Sequence, residues 1–311
     1  MSDNFQCGTV ADASASALFV TLNSVTSLST RSRTQLLSII QSLPEQLAQL
    51  QSVYPEAQLQ LTFAISSDYW DFLALADKPA GLQRFQAIHN QAINMPATDA
   101  DMLLHIRSNR HDINYHLALQ LFDQLKPFLV LDEMVHGFRY LDSRDFTGFV
   151  DGTENPEGES RKQVALVADD EPHNGASYIH LQKYHHNLSA WQQLSQRDQE
   201  DSYGRSKVDN IEYASADKLA CAHTKRSAIK DAAGQSLEIL RHSLPFGDLQ
   251  HSGLLFASYC ANSDNFNLML QSMCHHDAAG EADKILAVTS AVTGHAFFAP
   301  NLSWFKNLSE Q

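Results

Sequence analysis

The stretch from Ala17 to Ile65 restricts the fold most, because two apolar strand-like runs there flank one long amphipathic pattern. ALFVTLN (Ala17 to Asn23) is apolar and rich in β-forming residues. Leu36, Leu37, Ile39, Ile40, Leu43, Leu47 and Leu50 then recur near helical spacing between Thr30 and about Val53. Pro44 inside that stretch predicts a kink or the start of a second helix. LQLTFAI (Leu59 to Ile65) alternates with period two and predicts a half-buried strand. Such a succession has to lay a helix face on a sheet.

The same rhythm continues. Ala100 to Ile106 predicts a strand and Asn114 to Leu125 a helix; Leu129 to Leu131 predicts a short strand that Met134 to Tyr140 extends. Turn signals then cluster at Asp151-Gly152, Asn155-Pro156, Glu157-Gly158 and Asn174-Gly175, marking a connection between halves 1–155 and 156–311. Beyond it, the pattern predicts strands at Ser177 to Tyr184 and Leu254 to Ala261. It predicts helices at Ser189 to Gln199, Ala214 to Lys225 and Asn265 to Met273, with Ser236 to His242 extended. The halves share no residue-level repeat, so any duplication is topological. Few tight parallel crossover units are visible, which favours α+β over a doubly wound sheet.

Composition excludes several functions. The chain has 311 residues, 43% hydrophobic and 19% charged, which suits a globular protein. Its 22 Lys+Arg against 36 Asp+Glu give a net charge of −14, which repels nucleic acid and anionic lipid. No concentrated basic run offsets that. No apolar run approaches the ~18–20 residues that span a bilayer, and the N-terminal residues lack a signal-peptide pattern. Cys7, Cys221, Cys260 and Cys274 form no CxxC pair, so spacing excludes c-type haem attachment, a four-cysteine zinc site and a disulfide framework. These features lead us to expect a cytoplasmic protein of a reducing compartment. GxGxxG, GxxxxGK[ST], HExxH and GxSxG are all absent, which removes the usual dinucleotide, phosphate-loop, zinc-protease and hydrolase readings.

Three segments carry chemistry. Gly148-Phe149-Val150-Asp151-Gly152-Thr153-Glu154-Asn155-Pro156 places a carboxylate between glycines in a turn, where backbone and side chain can approach a ligand closely. The same segment also reads as a polar interdomain loop. It is no calcium loop, since Pro156 and Lys162 stand where glycine and glutamate are needed. The other two are Cys221-Ala222-His223-Thr224-Lys225-Arg226 and Leu240-Arg241-His242-Ser243-Leu244-Pro245-Phe246-Gly247. Singly, the histidine reads as structural and the arginine as a surface residue.

In this order and spacing the three segments resemble the dye-decolourising peroxidases, a haem b family, and the likeness runs over nearly the whole chain, including MLLHIRSNRHD. The resemblance implies two ferredoxin-like halves whose antiparallel sheets form a barrel-like core with helices outside. It implies a haem b group held mainly by the second half, with His223 as the proximal iron ligand and Asp283 hydrogen-bonded to it. Asp283 also suits the cap of a helix starting near Lys284. Asp151 is implied as the proton shuttle for hydrogen peroxide, with Arg241 beside it favouring the ionised carboxylate and stabilising developing negative charge. Arg241 is expected to matter at least as much as Asp151.

Phe256, Phe266, Leu268 and Met273 are candidate haem walls, although ordinary core packing uses the same side chains. Gly152 and Thr153, with the turn to Asn155 and with Lys225 and Arg226, are candidates to meet the haem propionates. Many compact bacterial relatives place asparagine two residues after the distal arginine; here it is Ser243, which is too short to present an amide and leaves room for a water. Trp191, Trp304, Tyr184 and Tyr213 are electron-relay candidates, none assigned a catalytic role. The pair His185-His186 and the run Cys274-His275-His276 read as solvated or accidental. The implied activity is one-electron oxidation of aromatic compounds and dyes by hydrogen peroxide, in a homo-oligomer. A non-catalytic haem carrier, a chlorite dismutase-like haem-processing protein and a cofactor-free ferredoxin-like interaction module are the alternatives. The short segment after Pro300 holds no long tail to address the chain to a shell compartment, so packaging is not expected.

Overall fold

A computed structural model describes residues 4–25, 27–168 and 171–308. The first half runs β1 (Ser16–Ser24), α1 (Thr30–Val53), β2 (Gln60–Ser66), α2 (Ser67–Phe72), a hairpin of β3 (Ile88–Asn90) and β4 (Ile93–Met95), β5 (Met102–Ser108), α3 (His111–Leu125) and β6 (Leu129–Phe138). The remainder runs α4 (Ser160–Ala165), β7 (Ser177–His186), α5 (Leu188–Gln193), α6 (Gln196–Tyr203), α7 (His223–Ser227), β8 (Leu240–Arg241), β9 (Leu244–Gly247) and β10 (Ser252–Cys260). It closes with α8 (Ser263–Cys274), β11 (Thr289–Ala291), β12 (His295–Ala299) and α9 (Leu302–Asn307). No helix among the described residues is long and apolar enough to cross a membrane.

One antiparallel sheet holds every strand except the β3–β4 hairpin, in the order β6-β1-β5-β2-β12-β7-β10-β8, with β9 and β11 paired to β10 and β7. Counting β1, β2, β5 and β6 as strands one to four, the first half reads 4-1-3-2 across the sheet. Counting β7, β8, β10 and β12 likewise, the second half reads 4-1-3-2 again. This is the ferredoxin-like α+β arrangement twice over, joined along β2 and β12 through Phe297–Ser66 and Phe298–Ile65. The sheet curls until β6 meets β9. A Cβ added to Gly137 would stand 2.8 Å from Leu244 Cβ, so only glycine lets the strands come that close.

Curling buries both faces of the strands. Leu18, Val20 and Leu22 of β1 point to the helices, with Leu36, Ile40, Leu43, Leu117 and Leu121. Ala17 and Phe19 point into the barrel with Ile179, Leu255, Tyr259 and Phe297. Each such apolar side chain contributes about 1.5–3 kcal/mol of burial. LQLTFAI is therefore not half-buried as predicted: Thr62, on its polar beat, is 1% exposed. The alternation marks two buried faces of different polarity.

Other local expectations also change. α1 is one continuous helix with Pro44 inside it, and Ser29 caps it by accepting from Ser32 N–H at 3.1 Å. β6 absorbs both predicted segments, with an irregularity where Thr21 faces Glu133 but Leu22 faces Leu131, leaving Asp132 as the extra residue. The helix expected at 189–199 is two helices, because Ser195 starts α6 by capping Asp198 N–H. Of the helix expected at 214–225, only the end survives, in α7. Upstream lie isolated turns such as Asp217 N–H to Ala214 O and Ala222 N–H to Leu219 O, in a stretch where Ser215 and Asp217 favour turns over helix.

Candidate active site

α7 is a single short turn at one end of the sheet, and His223 is its first residue. Lys284 N–H donates to Cys221 O at 3.0 Å, and Thr224 Oγ1 donates to Tyr203 O at 2.8 Å, fixing the turn from two sides. The imidazole Nδ1 lies 2.7 Å from Asp283 Oδ2, whose side chain is 0% exposed. Asp283 Oδ1 meanwhile accepts from Ile285 N–H at 3.1 Å and caps the 3₁₀ turn Lys284–Ala287. The two readings of Asp283 are thus both realised, one on each oxygen. The carboxylate cannot rotate without losing a cap, so it fixes the ring plane and the tautomer of His223. Asp283 N–H donates to Met273 O at 3.0 Å, which ties the end of α8 into the same unit. Nε2 of His223 has no hydrogen-bond partner among the described residues.

The Asp151 loop forms the second pole. Gly148 and Gly152 have φ of +88° and +79°, conformations that side chains resist. Asp151 N–H donates to Ser143 O at 2.9 Å, and Asp151 Oδ1 accepts from Gly152 N–H at 2.7 Å. Asn155 grips Arg241, its Nδ2 donating to Arg241 O at 2.7 Å and its Oδ1 accepting from Arg241 N–H at 2.9 Å. Asp151 and Arg241 consequently line one cleft. Arg241 thus stands beside Asp151 in the cleft, as expected, but without an ion pair: no N···O approach within 4.0 Å joins them, and Asp151 Oδ1 accepts from its own loop.

Ser243 does more than leave space. Its Oγ accepts from Ala257 N–H at 3.1 Å, replacing the backbone partner lost where β8 breaks into β9. Beneath the Asp151 loop lies Asp145, bonded to Thr147 N–H at 2.9 Å, to Thr147 Oγ1 and to Tyr203 OH at 3.1 Å. Burial, aided by the nearby charge of Asp151, pushes its carboxyl up to about 6. Tyr203 stacks on Phe149 at 4.1 Å and meets the His223 ring edge-on at 5.9 Å, linking the two poles.

Phe256 and Phe266 lie 5.8 Å apart, with Phe266 stacked on His180 in the packed core. Phe256, Ile239 and Leu286 remain half-buried at that core's rim, and Met273 is half-buried on α8. Leu268 is 45% exposed on the outer side of α8 and joins none of these clusters. Thr153 is exposed and accepts from Asn210 Nδ2 at 2.9 Å. Arg226 is engaged by Asp277 at 3.0 Å, and exposed Lys225 reaches Ser215 O at 3.4 Å. Trp191 is buried and bonds Thr147 O, Trp304 packs on Phe63, Tyr184 OH bonds Gln182, and Tyr213 OH bonds Glu200. His185 stacks on His251, and His186 bonds Thr289.

The sequence reading missed Asn155 as a clamp, although it stands in the GTENP run. It also missed Arg107, whose guanidinium meets His242 Nδ1 at 2.5 Å directly behind Arg241. Nothing in the local pattern around Arg107 signals that contact, which joins residues 135 apart.

Sequence models of known families divide the chain between them: Dyp-type peroxidase, N-terminal, over residues 6–139 and Dyp-type peroxidase, C-terminal, over residues 142–303. The chain belongs to the Dyp-type peroxidase family. This peroxidase is 40% identical over 253 residues to a dye-decolorizing peroxidase of Mycolicibacterium paratuberculosis, covering 80% of this chain and 72% of that one. A putative Dyp-type peroxidase from Shewanella oneidensis has a crystal structure superposing with a TM-score of 0.93 at 40% identity, covering 98% of each chain. A Rhodococcus jostii RHA1 variant solved in complex with haem superposes at 0.90 with 32% identity, covering 95% of this peroxidase and 96% of that protein. These relationships favour the peroxidase over the haem-carrier, chlorite dismutase-like and interaction-module alternatives.

Proposed function

We propose that this peroxidase binds haem b with His223 as the iron ligand, and that Asp151 and Arg241 act on hydrogen peroxide at the opposite face. The donor set fits. His223 donates Nδ1–H to a fully buried carboxylate, which leaves the Nε2 lone pair for a metal and makes that nitrogen a stronger donor. The half-buried Phe256, Ile239 and Leu286 offer an apolar rim suited to a porphyrin. The haem, when bound, supplies the redox-active iron that takes electrons from aromatic donors one at a time.

The protein's own groups divide the remaining work. Asp151, held by Ser143 and Gly152, takes a proton from one peroxide oxygen and returns it to the other. Arg241, fixed by Asn155, keeps its cation on the same cleft and stabilises the negative charge that develops there. Gly152 keeps the loop backbone in its left-handed conformation. The observation that carries the reading is the 2.7 Å contact between His223 Nδ1 and Asp283 Oδ2. Haem titration of the apoprotein tests it: His223→Ala is expected to lose the Soret band of the wild type while keeping its far-ultraviolet circular dichroism. Full pigment in that variant would overturn the assignment.

The reading includes hydrogen peroxide and aromatic donors as reactants and a homo-oligomer working in the cytoplasm. The four unpaired cysteines, three of them buried, suit a reducing compartment, and sedimentation of the holoenzyme tests the assembly. We read 1–155 and 156–311 as its two domains, the second carrying His223, Arg241 and Asp283.

A further inference from the structure

Tyr203 ends α6, and from that one position it touches both poles of the site. Gly204 follows in the left-handed conformation, with φ of +79°. A Cβ there would stand 2.7 Å from Thr224 Oγ1, so the end of α6 sits directly on α7. On the His223 side, Tyr203 O accepts from Thr224 Oγ1 at 2.8 Å, and the Tyr203 and His223 rings meet at 77° with centroids 5.9 Å apart. On the Asp151 side, the Tyr203 ring stacks at 4.1 Å and 21° on Phe149, which lies just before Val150 and Asp151. The hydroxyl donates to Asp145 Oδ2 at 3.1 Å and lies 3.0 Å from Thr147 Oγ1. Asp145 in turn closes the base of the loop: its N–H donates to Phe149 O at 3.0 Å, and its backbone O accepts from Gly148 N–H at 3.1 Å. Trp191 packs edge-on against Tyr203 at 6.0 Å, and the Lys207 ammonium lies 5.7 Å from the Phe149 ring. Among the described residues, Phe149, Trp191 and Tyr203 belong to none of the three main apolar clusters, so this aromatic group serves the two poles rather than the general core.

We propose that Tyr203 is a positioning residue that holds the Asp151 loop and the His223 turn in one register. The proposal rests on the reading of Asp151 and His223 as the distal and proximal groups and adds the element that spaces them. Asp283 restrains the imidazole at one nitrogen, and Asn155 ties the Asp151 loop to Arg241; neither contact reaches the opposite pole. Tyr203 does. A tyrosine ring is rigid and has few rotatable bonds, so little entropy is lost in fixing it and a displacement at one edge is passed on to the other. Its two parts act differently. The hydroxyl serves the loop alone, through Asp145 and Thr147, whereas the ring touches Phe149 on one side and His223 on the other. The register matters because a misplacement of about 1 Å between reacting groups slows a reaction by about 100-fold.

Tyr203→Phe keeps the ring and removes the hydroxyl, whereas Tyr203→Leu removes both, so the pair separates the two connections. Hydrogen–deuterium exchange of the holoenzyme reads them without any measure of activity. Tyr203→Phe is expected to raise exchange about tenfold over 145–152 and to leave 222–227 unchanged, and Tyr203→Leu to raise both. In resonance Raman spectra of the ferrous holoenzyme, the iron–histidine band should stay in place in Tyr203→Phe and shift in Tyr203→Leu. The second-order rate with peroxide should fall about tenfold or more in both variants. Phe305→Leu, at a buried position on α9, is the control for lost stability: it should lower the melting temperature and move neither the band nor the rate. A Tyr203→Leu enzyme with the wild-type band and peroxide rate, or changes of the same size in Phe305→Leu, overturns the role while the peroxidase reading stands. If the wild type takes up no haem, that reading falls first, and exchange in the haem-free chain decides the strut alone: a rise confined to one pole in Tyr203→Leu overturns it.

Discussion

Asn155 holds Arg241 from both sides, its amide donating to Arg241 O at 2.7 Å and its oxygen accepting from Arg241 N–H at 2.9 Å. An asparagine used this way acts as a strand neighbour of one residue. It converts a loop with left-handed glycines into a part with a fixed distance to β8. The site is therefore built by a backbone clamp, with no ion pair between Asp151 and Arg241.

Asn155→Ala leaves two backbone groups of Arg241 without partners. Each unpaired group costs about 1–3 kcal/mol, so the melting temperature should fall. The second-order rate with peroxide should fall with it, since Asp151 and Arg241 lose their shared register. Calorimetry and stopped-flow absorbance check the two effects, and an unchanged peroxide rate would show that the clamp does not position the site.

Asp283→Asn offers one oxygen where the carboxylate offers two. It can cap Ile285 or accept from His223, and it cannot carry the negative charge that strengthens Nε2 as a donor. Haem affinity or turnover is expected to drop by about 10–100-fold. The iron reduction potential should also shift upward, read by spectroelectrochemistry. A potential equal to that of the wild type contradicts this role.

Arg241→Leu should slow the peroxide-induced change of the Soret band more than Asp151→Asn does. A fixed cation acts throughout O–O cleavage, whereas water can replace part of a proton shuttle. Stopped-flow traces of the two variants with the reverse order would reject this ranking.

Asp145 predicts a pH effect on stability. Burial raises its carboxyl from 3.8 to about 6, so between these values the folded chain holds a proton that the unfolded chain has released. That contribution is fully present below about pH 4 and is lost as pH rises through 6. At about 1.4 kcal/mol per unit, it is worth up to ~3 kcal/mol. Asp145→Asn should flatten this limb of the melting temperature against pH, followed by calorimetry from pH 4 to 7. A limb of unchanged slope would assign it to other groups.

Much of the architecture was legible in local pattern. Apolar runs and helical spacing located β1, α1, β5, α3, β7, β10 and α8, because strand and helix periodicity depend on near neighbours alone. The failures follow from the same fact. The stretch 214–222 has helix-compatible composition, yet its hydrogen bonds go to isolated turns. The polar beat of LQLTFAI marked solvent by rule, yet the curled sheet buries Thr62 inside.

The ordered motifs by themselves named the residues we assign to the proposed site: the Asp151 loop, His223, Arg241 and Asp283. Spacing along the chain cannot set distances between residues 60 or 86 positions apart, as His223–Asp283 and Asn155–Arg241 are. Closure of the sheet sets them. Tertiary structure alone divided the two oxygens of Asp283 between an imidazole and a helix cap, left Asp151 bonded to its own loop with no ion pair to Arg241, and gathered arginines from positions 107 to 241 into one cleft. Those outcomes depend on which buried groups find partners once distant strands meet, and that is a property of the closed barrel.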